Sequence, residues 1–598
     1  MTSDALSDAY LGVTKSLNGR RWRLKDCDDR AALAMAQRLG VPDIVGRILA
    51  VRGVGLEEAS QFLDPTLRDL LPDPSSFLDM DTACARVAEA IKNNEKVAVF
   101  GDYDVDGATS SAVLIRFFRA IGADLTFYIP DRLKEGYGPN APALLKLKDS
   151  GVSVVITVDC GTGSFEPLEA AKKAGLDVIV LDHHKADARL PEAVAVVNPN
   201  RLDETGAHGQ LAAVGLVFLF VVGLNRYLRD AGFYQDKTEP NLLQWLDIVA
   251  LGTVCDVVPL VGVNRALVAQ GLKVMARRAN TGITALADVA GVDEAPGTYH
   301  AGFVLGPRIN AGGRVGASDL GARLLSTENQ GEAAEIAQRL NVLNKERQDI
   351  EARVLEEALE EVERSGGEGA NAPFILAAGE GWHPGVIGIV ASRLKERYNR
   401  PACVVALDGD TGHGSARSIT GIDLGQAVIA ATQSGLLVKG GGHAMAAGFT
   451  VEAQKLDELE RFLTERMADG LAEIGGAPSL SLDGSLRVEA ARMDLLDDLS
   501  RLEPFGSGNA EPRFVFPNAK LLRAVAVGAD QSHLQCTLGG EGKGKLNAIA
   551  FRCMDTELGQ ALIHHDGAPF HITGRLRVNT WQGVSSPQLM IDDAAPVW

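Results

Sequence analysis

Short apolar runs recur at regular intervals in the first third of the chain. They are Val97–Phe100, Leu125–Ile129, Val152–Val158 and Val178–Leu181, and their starts lie 28, 27 and 26 residues apart. The segments between these runs have helix-compatible composition. Apolar strands that alternate with helices are typical of a parallel sheet covered on both faces. The pattern therefore predicts an α/β domain.

A different pattern follows at residues 328–364, which are rich in Glu, Ala, Leu, Arg and Gln. Apolar residues keep a spacing of three or four there, interrupted by Arg347. This spacing predicts one helix about 50 Å long at a rise of about 1.5 Å per residue. A Gly-rich segment at 365–373 and a Gly-Ala-Pro segment at 476–478 flank a second α/β segment that begins at Phe374.

The last region alternates short apolar runs without a long helical stretch, at Lys520–Val527, His533–Leu538, Leu546–Phe551 and Phe570–Val578. This alternation predicts a small β-barrel. A chain of 598 residues is too long for one hydrophobic core. We predict five regions: 1–75, an N-terminal region; 76–325, a parallel-sheet domain; 326–370, a connecting helix; 371–476, a smaller α/β domain; and 477–598, the barrel.

The composition indicates a soluble cytoplasmic protein. Seven cysteines are scattered singly, which favours a reducing compartment over a disulfide framework. No signal peptide is visible, and the longest apolar run, Leu211–Leu224, is too short to cross a bilayer and predicts a buried helix. The net charge of −19 is unusual for a protein that binds polyphosphate. Either the substrate is small, or basic residues are concentrated in a groove.

Polar residues follow the predicted strands at their carboxyl ends. Val97–Phe100 runs into Gly101-Asp-Tyr-Asp-Val-Asp-Gly107, Val152–Val158 into Asp159, and Val178–Leu181 into Asp182-His-His184. A further strand-like run, Ile248–Gly252, leads to Asp256. Ligands of doubly wound sheets bind at this edge. Each motif alone is more often a turn or a surface pair, but four together predict one site.

Carboxylates with one or two imidazoles suit Mn²⁺ or Mg²⁺, and two such ions can hold a phosphodiester and activate water. The four motifs resemble those of the DHH phosphoesterase superfamily, and their order along the chain resembles the RecJ family of single-stranded-DNA exonucleases. The resemblance implies two divalent ions and a set of catalytic residues: Asp104, Asp106, Asp159, His183 and Asp256 as ligands, with Asp159 bridging, and His184 as a ligand or a contact to the scissile phosphate.

One position departs from the superfamily pattern. Many relatives that act on small substrates have a His four residues before the first metal Asp, and this chain has Phe100 there. Asp102 either compensates for that His or only orients the loop.

Three further segments have residues suited to binding phosphate. Gly306–Gly316 places Arg308, Asn310 and Arg314 in what we interpret as a Gly-rich loop, and Gly414–Ser418 combines Ser415 with Arg417. Arg gives bidentate phosphate contacts, and backbone without side chains approaches anions closely. The third segment is Lys439–His443, with Gly441, Gly442 and His443 as its candidates. The last two segments also resemble the DHH-associated domain.

Arg132 follows the run Leu125–Ile129 and is expected at the same crevice edge, where it either joins Ser415 and Arg417 at a terminal 5′ phosphate or pairs with Asp131 or Glu135. In the barrel, basic and aromatic residues are candidates for strand contact. Trp581 is the best candidate for base stacking, although a core position is equally compatible with the sequence. The others are Lys520, Arg523, Lys543, Lys545, Arg552, Arg575 and Arg577.

The sequence favours a metal-dependent 5′→3′ exonuclease that degrades single-stranded DNA to mononucleotides in recombination and repair. The polarity is implied by the resemblance alone, as are a single-strand-binding protein and a DNA helicase as partners. We expect a monomer without membrane association. The alternatives are a phosphodiesterase of short oligonucleotides or cyclic dinucleotides, which would not need the barrel, and a non-catalytic DNA-binding scaffold of the same fold.

Overall fold

The structure of the protein is a computed structural model that describes residues 9–132, 134–364, 372–474 and 478–597. Most residues of the two flanking segments at 365–373 and 476–478 lie outside these described ranges. The chain divides into two compact units. The barrel unit comprises Met1–Pro72, Val257–Lys273 and Ala477–Trp598, and the sheet unit comprises Asp73–Asp256 and Val274–Gly476.

The described residues form strands and α-helices that we number along the chain. Strands β1–β18 are Arg21–Leu24, Lys96–Gly101, Leu125–Tyr128, Val152–Val158, Asp177–Leu181, Ala195–Val197, Ile375–Glu380, Ala402–Asp408, Thr411–Arg417, Lys439–His443, Ala446–Glu452, Ser479–Leu482, Gly484–Ser485, Phe514–Val527, His533–Gly539, Lys545–Ala550, Pro569–Trp581 and Val584–Pro596. Helices α1–α20 are Asp29–Leu39, Asp43–Val51, Ala59–Leu63, Leu67–Leu70, Met80–Lys92, Val105–Ile121, Ala141–Asp149, Phe165–Lys173, Ala213–Asp230, Leu246–Cys255, Gly262–Met275, Thr281–Val289, Gly306–Val315, Leu320–Ser326, Gln330–Arg364, Ile387–Tyr398, Leu424–Gln433, Leu456–Ile474, Met493–Ser500 and Glu557–Ile563.

The first sheet of the sheet unit is parallel, with the order β3-β2-β4-β5-β6. Its first four members confirm the predicted strands. The pattern missed β6, which has only three residues. Residues of β2, β4 and β5 are almost all buried, as expected when both faces of a parallel sheet are covered. The apolar run Leu211–Leu224 lies mostly in the buried helix α9, as predicted.

The run Ile248–Gly252 was expected as a strand and is part of helix α10. This prediction was wrong because the segment is apolar on every side, so that periodicity does not separate a buried helix from a buried strand. The helix packs closely on α6: a Cβ at Gly252 would lie 2.2 Å from Oγ1 of Thr109. Asp256 is therefore at the end of a helix and not of a strand.

The segment Gly306–Gly316 was expected as a loop, and most of it is helix α13. Its glycines allow close packing rather than loop freedom. A Cβ at Gly306 would lie 2.5 Å from Sγ of Cys255, and one at Gly313 would lie 2.7 Å from the carbonyl oxygen of Tyr103. Small residues at these positions bring α13 against the elements that carry Asp104 and Asp256.

The second sheet of this unit has the order β10-β11-β9-β8-β7, with only β7 and β8 parallel. Lys439–His443, predicted as an anion-binding segment, is the edge strand β10. Its glycines make room for α17, since a Cβ at Gly440 would lie 2.8 Å from Val428. The long helix α15 has 35 residues and confirms the predicted connecting helix. Arg347, which interrupts its apolar stripe, is buried against Glu351.

The barrel unit contains a closed barrel. Strands β14-β15-β16-β18-β17 pair in that order, and β14 pairs with β17 to close the ring. The barrel confirms the prediction for the C-terminal region, although β18 was missed because Ser585, Ser586 and Gln588 interrupt its apolar pattern.

Residues near the N-terminus share a core with the barrel. Strand β1 pairs with β12, and Val45, Ile48 and Leu49 pack in one cluster with Phe514 and Phe516. Removal of residues 479–598 would therefore expose this core. Point substitutions are the sounder test of what the barrel binds.

No helix within the described ranges combines the length and apolar character that crossing a bilayer requires.

A buried carboxylate joins the N-terminal segment to the last strand. Asp593 is fully buried and accepts hydrogen bonds from the Ser16 hydroxyl at 2.6 Å and from Trp22 Nε1 at 3.0 Å. Asp593→Ala strands both donors, and we expect it to lower the free energy of unfolding by about 2–5 kcal/mol. Chemical denaturation of this variant beside Asp555→Ala, an exposed control in the same unit, measures the effect. Equal losses in both variants would contradict the role of Asp593.

Candidate metal centre and anion pocket

The loop after β2 delivers two carboxylates to the edge of the first sheet. Asp104 caps helix α6, and its Oδ1 accepts a hydrogen bond from the Gly107 amide at 3.1 Å. Asp106 is buried in the first turn of that helix. Its two oxygens accept from the amides of Ala213 and Val214 at 2.6 and 2.8 Å, at the start of α9. These bonds fix the orientation of both carboxylates.

Asp159 follows β4 with a backbone φ of 61°, a left-handed conformation that is uncommon outside glycine. Its amide donates to the Leu181 carbonyl at 3.1 Å, and its own carbonyl accepts from the Tyr137 hydroxyl at 3.0 Å. The surrounding structure therefore holds a strained residue in place, as is common at functional sites.

His183 presents one ring nitrogen to the carboxylates. Its Nδ1 lies 2.9 Å from the Leu211 carbonyl oxygen, which can only accept, so that Nδ1 carries the proton and Nε2 is free. Nε2 lies 3.3 Å from Asp159, 3.6 Å from Asp256 and 3.9 Å from Asp106. Burial lowers the pKa of His183, which favours the neutral ring that a metal ligand needs.

His184 has a different environment. Its Nδ1 lies 2.7 Å from Oδ1 of the buried Asp182. Burial opposes the charged ring, but the hydrogen bond to Asp182 outweighs it and raises the pKa of His184 to about 9. Its side chain is 43% exposed, so that a protonated imidazole faces the site. This arrangement suits a contact to an anion better than a metal ligand.

The carboxylates of this site disfavour one another's ionisation. Burial and the neighbouring carboxylates raise the pKa of Asp256 to about 7 and that of Asp102 to about 8, and they raise the pKa of Asp106 and Asp159 well above the usual range. Oδ2 of Asp256 is buried without a hydrogen-bond partner. Such a cluster lacks positive charge, which divalent cations would supply.

The site contains three sets of potential metal ligands, and within each set the ligand atoms lie within 4.8 Å of one another. The sets are Asp159, His183 and His184; Asp106, His183 and Asp256; and Asp102, Asp104 and Asp159. This cluster could bind metal ions, and its oxygen-rich donor set fits Mn²⁺ or Mg²⁺. Asp159 belongs to two of the sets. Asp102 belongs to one set with Asp104, and its Oδ1 accepts a hydrogen bond from the Tyr103 amide at 2.8 Å.

Arginines gather beside the carboxylates. The Arg132 guanidinium lies 5.1 Å from the centre of the Tyr103 ring. Burial, together with the charges of Arg132, Arg347 and Arg417, lowers the pKa of Arg314 to about 10. Arg314 donates to the Gly385 carbonyl at 2.7 Å. Glu135 was one of the acidic partners considered for Arg132. Its carboxylate instead accepts hydrogen bonds from the Tyr128 hydroxyl and the Asp131 amide.

Ser415 and Arg417 complete this group, which we call the anion pocket (Arg132, Arg314, Ser415 and Arg417). Arg417 donates to Oγ of Ser415 at 3.1 Å. A Cβ at Gly388, in the first turn of α16, would lie 2.9 Å from both side chains. The start of a helix and several guanidinium groups together form an electropositive site.

The edge strand β10 lies in register with this pocket. Gly441 pairs with Gly448, which pairs with Ser415, and His443 pairs with Ala446, which pairs with Arg417. Because alternate residues share a face, Gly441 and His443 are on the face of Ser415 and Arg417, about 10 Å away across two strand spacings. Gly442 is on the opposite face, which the prediction did not distinguish.

Arg308, Asn310 and Arg314 line a cleft of about 500 Å³. Arg347, Arg393 and Phe303, which the sequence analysis missed, line it too. Tyr137 was also missed, although its Gly-rich surroundings at 136–138 were a usable signal. Tyr299 and Phe303 lie four residues apart just before the Gly306 segment, and this spacing was a usable signal for a pair of aromatic rings beside the cleft.

Comparison with known proteins places this geometry in a family. The DHH family N-terminal domain matches residues 96–253, the DHHA1 domain 371–469 and the RecJ OB domain 482–593. The single-stranded-DNA-specific exonuclease RecJ of Bacillus subtilis is 35% identical over 578 residues, covering 96% of this chain and 71% of the relative. That of Escherichia coli is 34% identical over 593 residues, covering 96% and 99%.

The chain belongs to the RecJ family.

A solved structure agrees with this assignment. RecJ from Thermus thermophilus in complex with Mn²⁺ has a TM-score of 0.79 and 28% identity, over 96% of this chain and 79% of that one. The same RecJ was also solved with Mg²⁺. The predicted fold class and the assignment as a hydrolytic nuclease are thereby confirmed.

The repulsion among the carboxylates generates a prediction. Asp256→Asn removes one buried negative charge, so that we expect the metal-free protein to unfold a few degrees higher than the wild type. The same change replaces an oxygen of one candidate ligand set by an amide nitrogen or leaves it a neutral amide oxygen, and we expect the stabilisation by added Mn²⁺ to be largely lost. Thermal unfolding with and without Mn²⁺ measures both effects, with the exposed Asp149→Asn as control. A lower metal-free midpoint in Asp256→Asn would contradict the repulsion among the carboxylates, and an undiminished Mn²⁺ shift would contradict a role of Asp256 in metal binding.

Proposed function

We propose that this RecJ-family protein is a 5′→3′ exonuclease that degrades single-stranded DNA to mononucleotides with two divalent ions, Mn²⁺ or Mg²⁺. One observation carries the proposal: the carboxylate cluster and the anion pocket lie side by side in one unit. The Asp104 carboxylate is close enough to Arg314 to oppose the lowering of the Arg314 pKa by burial. A terminal phosphate bound in the pocket would leave the next phosphodiester at the cluster.

The ligand roles are assigned as the resemblance implies. Asp104, Asp106, Asp159, His183 and Asp256 would hold the ions, and the membership of Asp159 in two ligand sets supports the proposal that both ions would share it. When bound, the ions neutralise the phosphodiester and make water a better nucleophile. His184, protonated through Asp182, donates to the scissile phosphate.

The anion pocket accounts for action at an end. A metal centre alone would cut anywhere along a strand, whereas a pocket that binds a terminal phosphate sets the distance from the end to the cleaved bond. Arg132, Ser415 and Arg417 bind that phosphate, and Arg314 links the pocket to the neighbouring cleft. The 5′→3′ polarity follows if the bound phosphate is the 5′ one.

The barrel supplies contacts to the rest of a long strand. Trp581 is 72% exposed near the tip of the hairpin β17–β18, which rules out the core position and supports base stacking. Five basic candidates are exposed: Lys520, Arg523, Lys543, Lys545 and Arg552. Arg575 and Arg577 instead pair with Glu511. We propose Trp581 and the five exposed residues as the strand contacts.

The other functions considered have less support. A phosphodiesterase of short oligonucleotides or cyclic dinucleotides would not need the barrel, and a non-catalytic scaffold would not need a complete set of ligand residues. A single-strand-binding protein and a DNA helicase remain proposed partners, and a monomer remains the proposed state.

Digestion of end-labelled single strands, with and without Mn²⁺, tests the proposed function. We expect a 5′ label to be released first as a mononucleotide and a 3′ label to remain on progressively shorter strands, in both cases only with metal. Initial release of the 3′ label, or cleavage in the interior of the strand, would contradict the proposal.

Arg417→Ala tests the anion pocket. A charge-assisted hydrogen bond contributes about 1.5–3 kcal/mol, or roughly 10- to 150-fold. We therefore expect the wild type to prefer a 5′-phosphorylated over a 5′-hydroxyl strand and Arg417→Ala to lose most of that preference. Initial rates on both substrates measure it, with Arg397→Ala, an exposed arginine of α16, as the matched control. If Arg417→Ala slows both substrates equally, Arg417 binds the strand in general and does not recognise its end.

A further inference from the structure

Two aromatic side chains are exposed at the rim of the basic cleft. Phe303 is 74% exposed and Tyr299 is 59% exposed. Their rings stack on each other, with centroids 5.5 Å apart and an interplanar angle of 23°. Phe303 also lines the cleft that contains Arg308 and Arg393. A stacked pair of exposed rings beside guanidinium groups is an unusual surface for a protein to leave in water.

The pair is held in a fixed place relative to the metal centre. Phe303 belongs to a π-helical turn, His300–Leu305, that is anchored by the buried residues Ala301 and Leu305. The Cys255 thiol, next to Asp256 in the chain, donates to the Ala301 carbonyl at 3.3 Å. π-Helical turns occur frequently at functional sites. The turn that carries Phe303, directly after Tyr299, is therefore bonded to the helix that ends at a proposed metal ligand.

The cleft beside the pair carries positive charge. Four arginines line it: Arg308, Arg314, Arg347 and Arg393. Glu351 is the one carboxylate among its lining residues. Arg308 donates to the Val304 carbonyl at 2.6 Å, so that it is fixed to the residue after Phe303. The local charge of the cleft is therefore positive, although the net charge of the whole chain is −19, and a groove for a phosphate chain requires such a positive surface.

We propose that Phe303 and Tyr299 form a base-stacking platform for the DNA strand, with the arginines of the cleft at the adjoining phosphates. Every base has a π face, so that stacking suits an enzyme that must accept any sequence, and the guanidinium groups hold the backbone. This inference rests on the proposed function and adds a substrate-positioning element outside the metal centre, the anion pocket and the barrel.

Steady-state kinetics on a 5′-phosphorylated oligothymidylate test the platform. We expect Phe303→Ala to raise KM about 5- to 100-fold, as loss of a stacked base predicts. Phe303→Trp should keep the low KM, because it preserves the ring. Tyr227→Ala, which removes a 43% exposed ring elsewhere in the sheet unit, is the matched control and should leave KM unchanged. Mn²⁺ affinity, measured by calorimetry, should be equal in all variants.

A single abasic site, moved along the strand one nucleotide at a time, separates stacking from a structural role. In the wild type, one position should raise KM as Phe303→Ala does, and the substitution should have no further effect on that substrate. Unchanged KM in Phe303→Ala, or full sensitivity of that variant to the abasic site at every position, would overturn the platform while leaving exonuclease activity intact. Absence of strand degradation by the wild type would instead refute the proposed function.

Discussion

The arrangement of the sheet unit depends on carboxylates that are buried together without enough positive charge. Burial and mutual repulsion raise the pKa of Asp106, Asp159 and Asp256, and one oxygen of Asp256 has no hydrogen-bond partner. Such a group is stable only because the fold fixes each member independently. The first turn of a helix holds Asp106, a strand end holds Asp159 and a helix end holds Asp256, and the Leu211 carbonyl orients His183 toward them.

The surrounding elements pack in ways that preserve this geometry. Glycines at 252, 306 and 313 let helices approach at distances that a Cβ would forbid, which brings the helices carrying Asp106, Asp256 and the cleft arginines together. Positive charge is placed around the cluster rather than within it. His184 is protonated through Asp182, and the arginines of the anion pocket and of the cleft surround the proposed path of the strand. The overall negative charge of the chain therefore does not describe its binding surface.

Strands β2–β5 of the first sheet and the helix over residues 330–364 could be predicted because their pattern is long and regular, whereas β6 has only three residues. The residue types of the metal centre could be predicted because they follow strands whose ends must meet. Asp256 was assigned to the site on the wrong element, since an all-apolar run looks the same as a helix or a strand. The glycines of 306–316 were mistaken for a loop because their packing partners, Tyr103 and Cys255, are remote in sequence. The exposure of Phe303 and Trp581 likewise depends on tertiary packing, which no local pattern encodes.

The central claim is that this cluster holds two divalent ions that share Asp159. Anomalous diffraction from crystals of the wild-type protein grown with Mn²⁺ tests it most directly. We expect two anomalous peaks that share the Asp159 carboxylate, one beside Asp106, His183 and Asp256 and the other beside Asp104. A single peak, or two peaks that do not share Asp159, would contradict it.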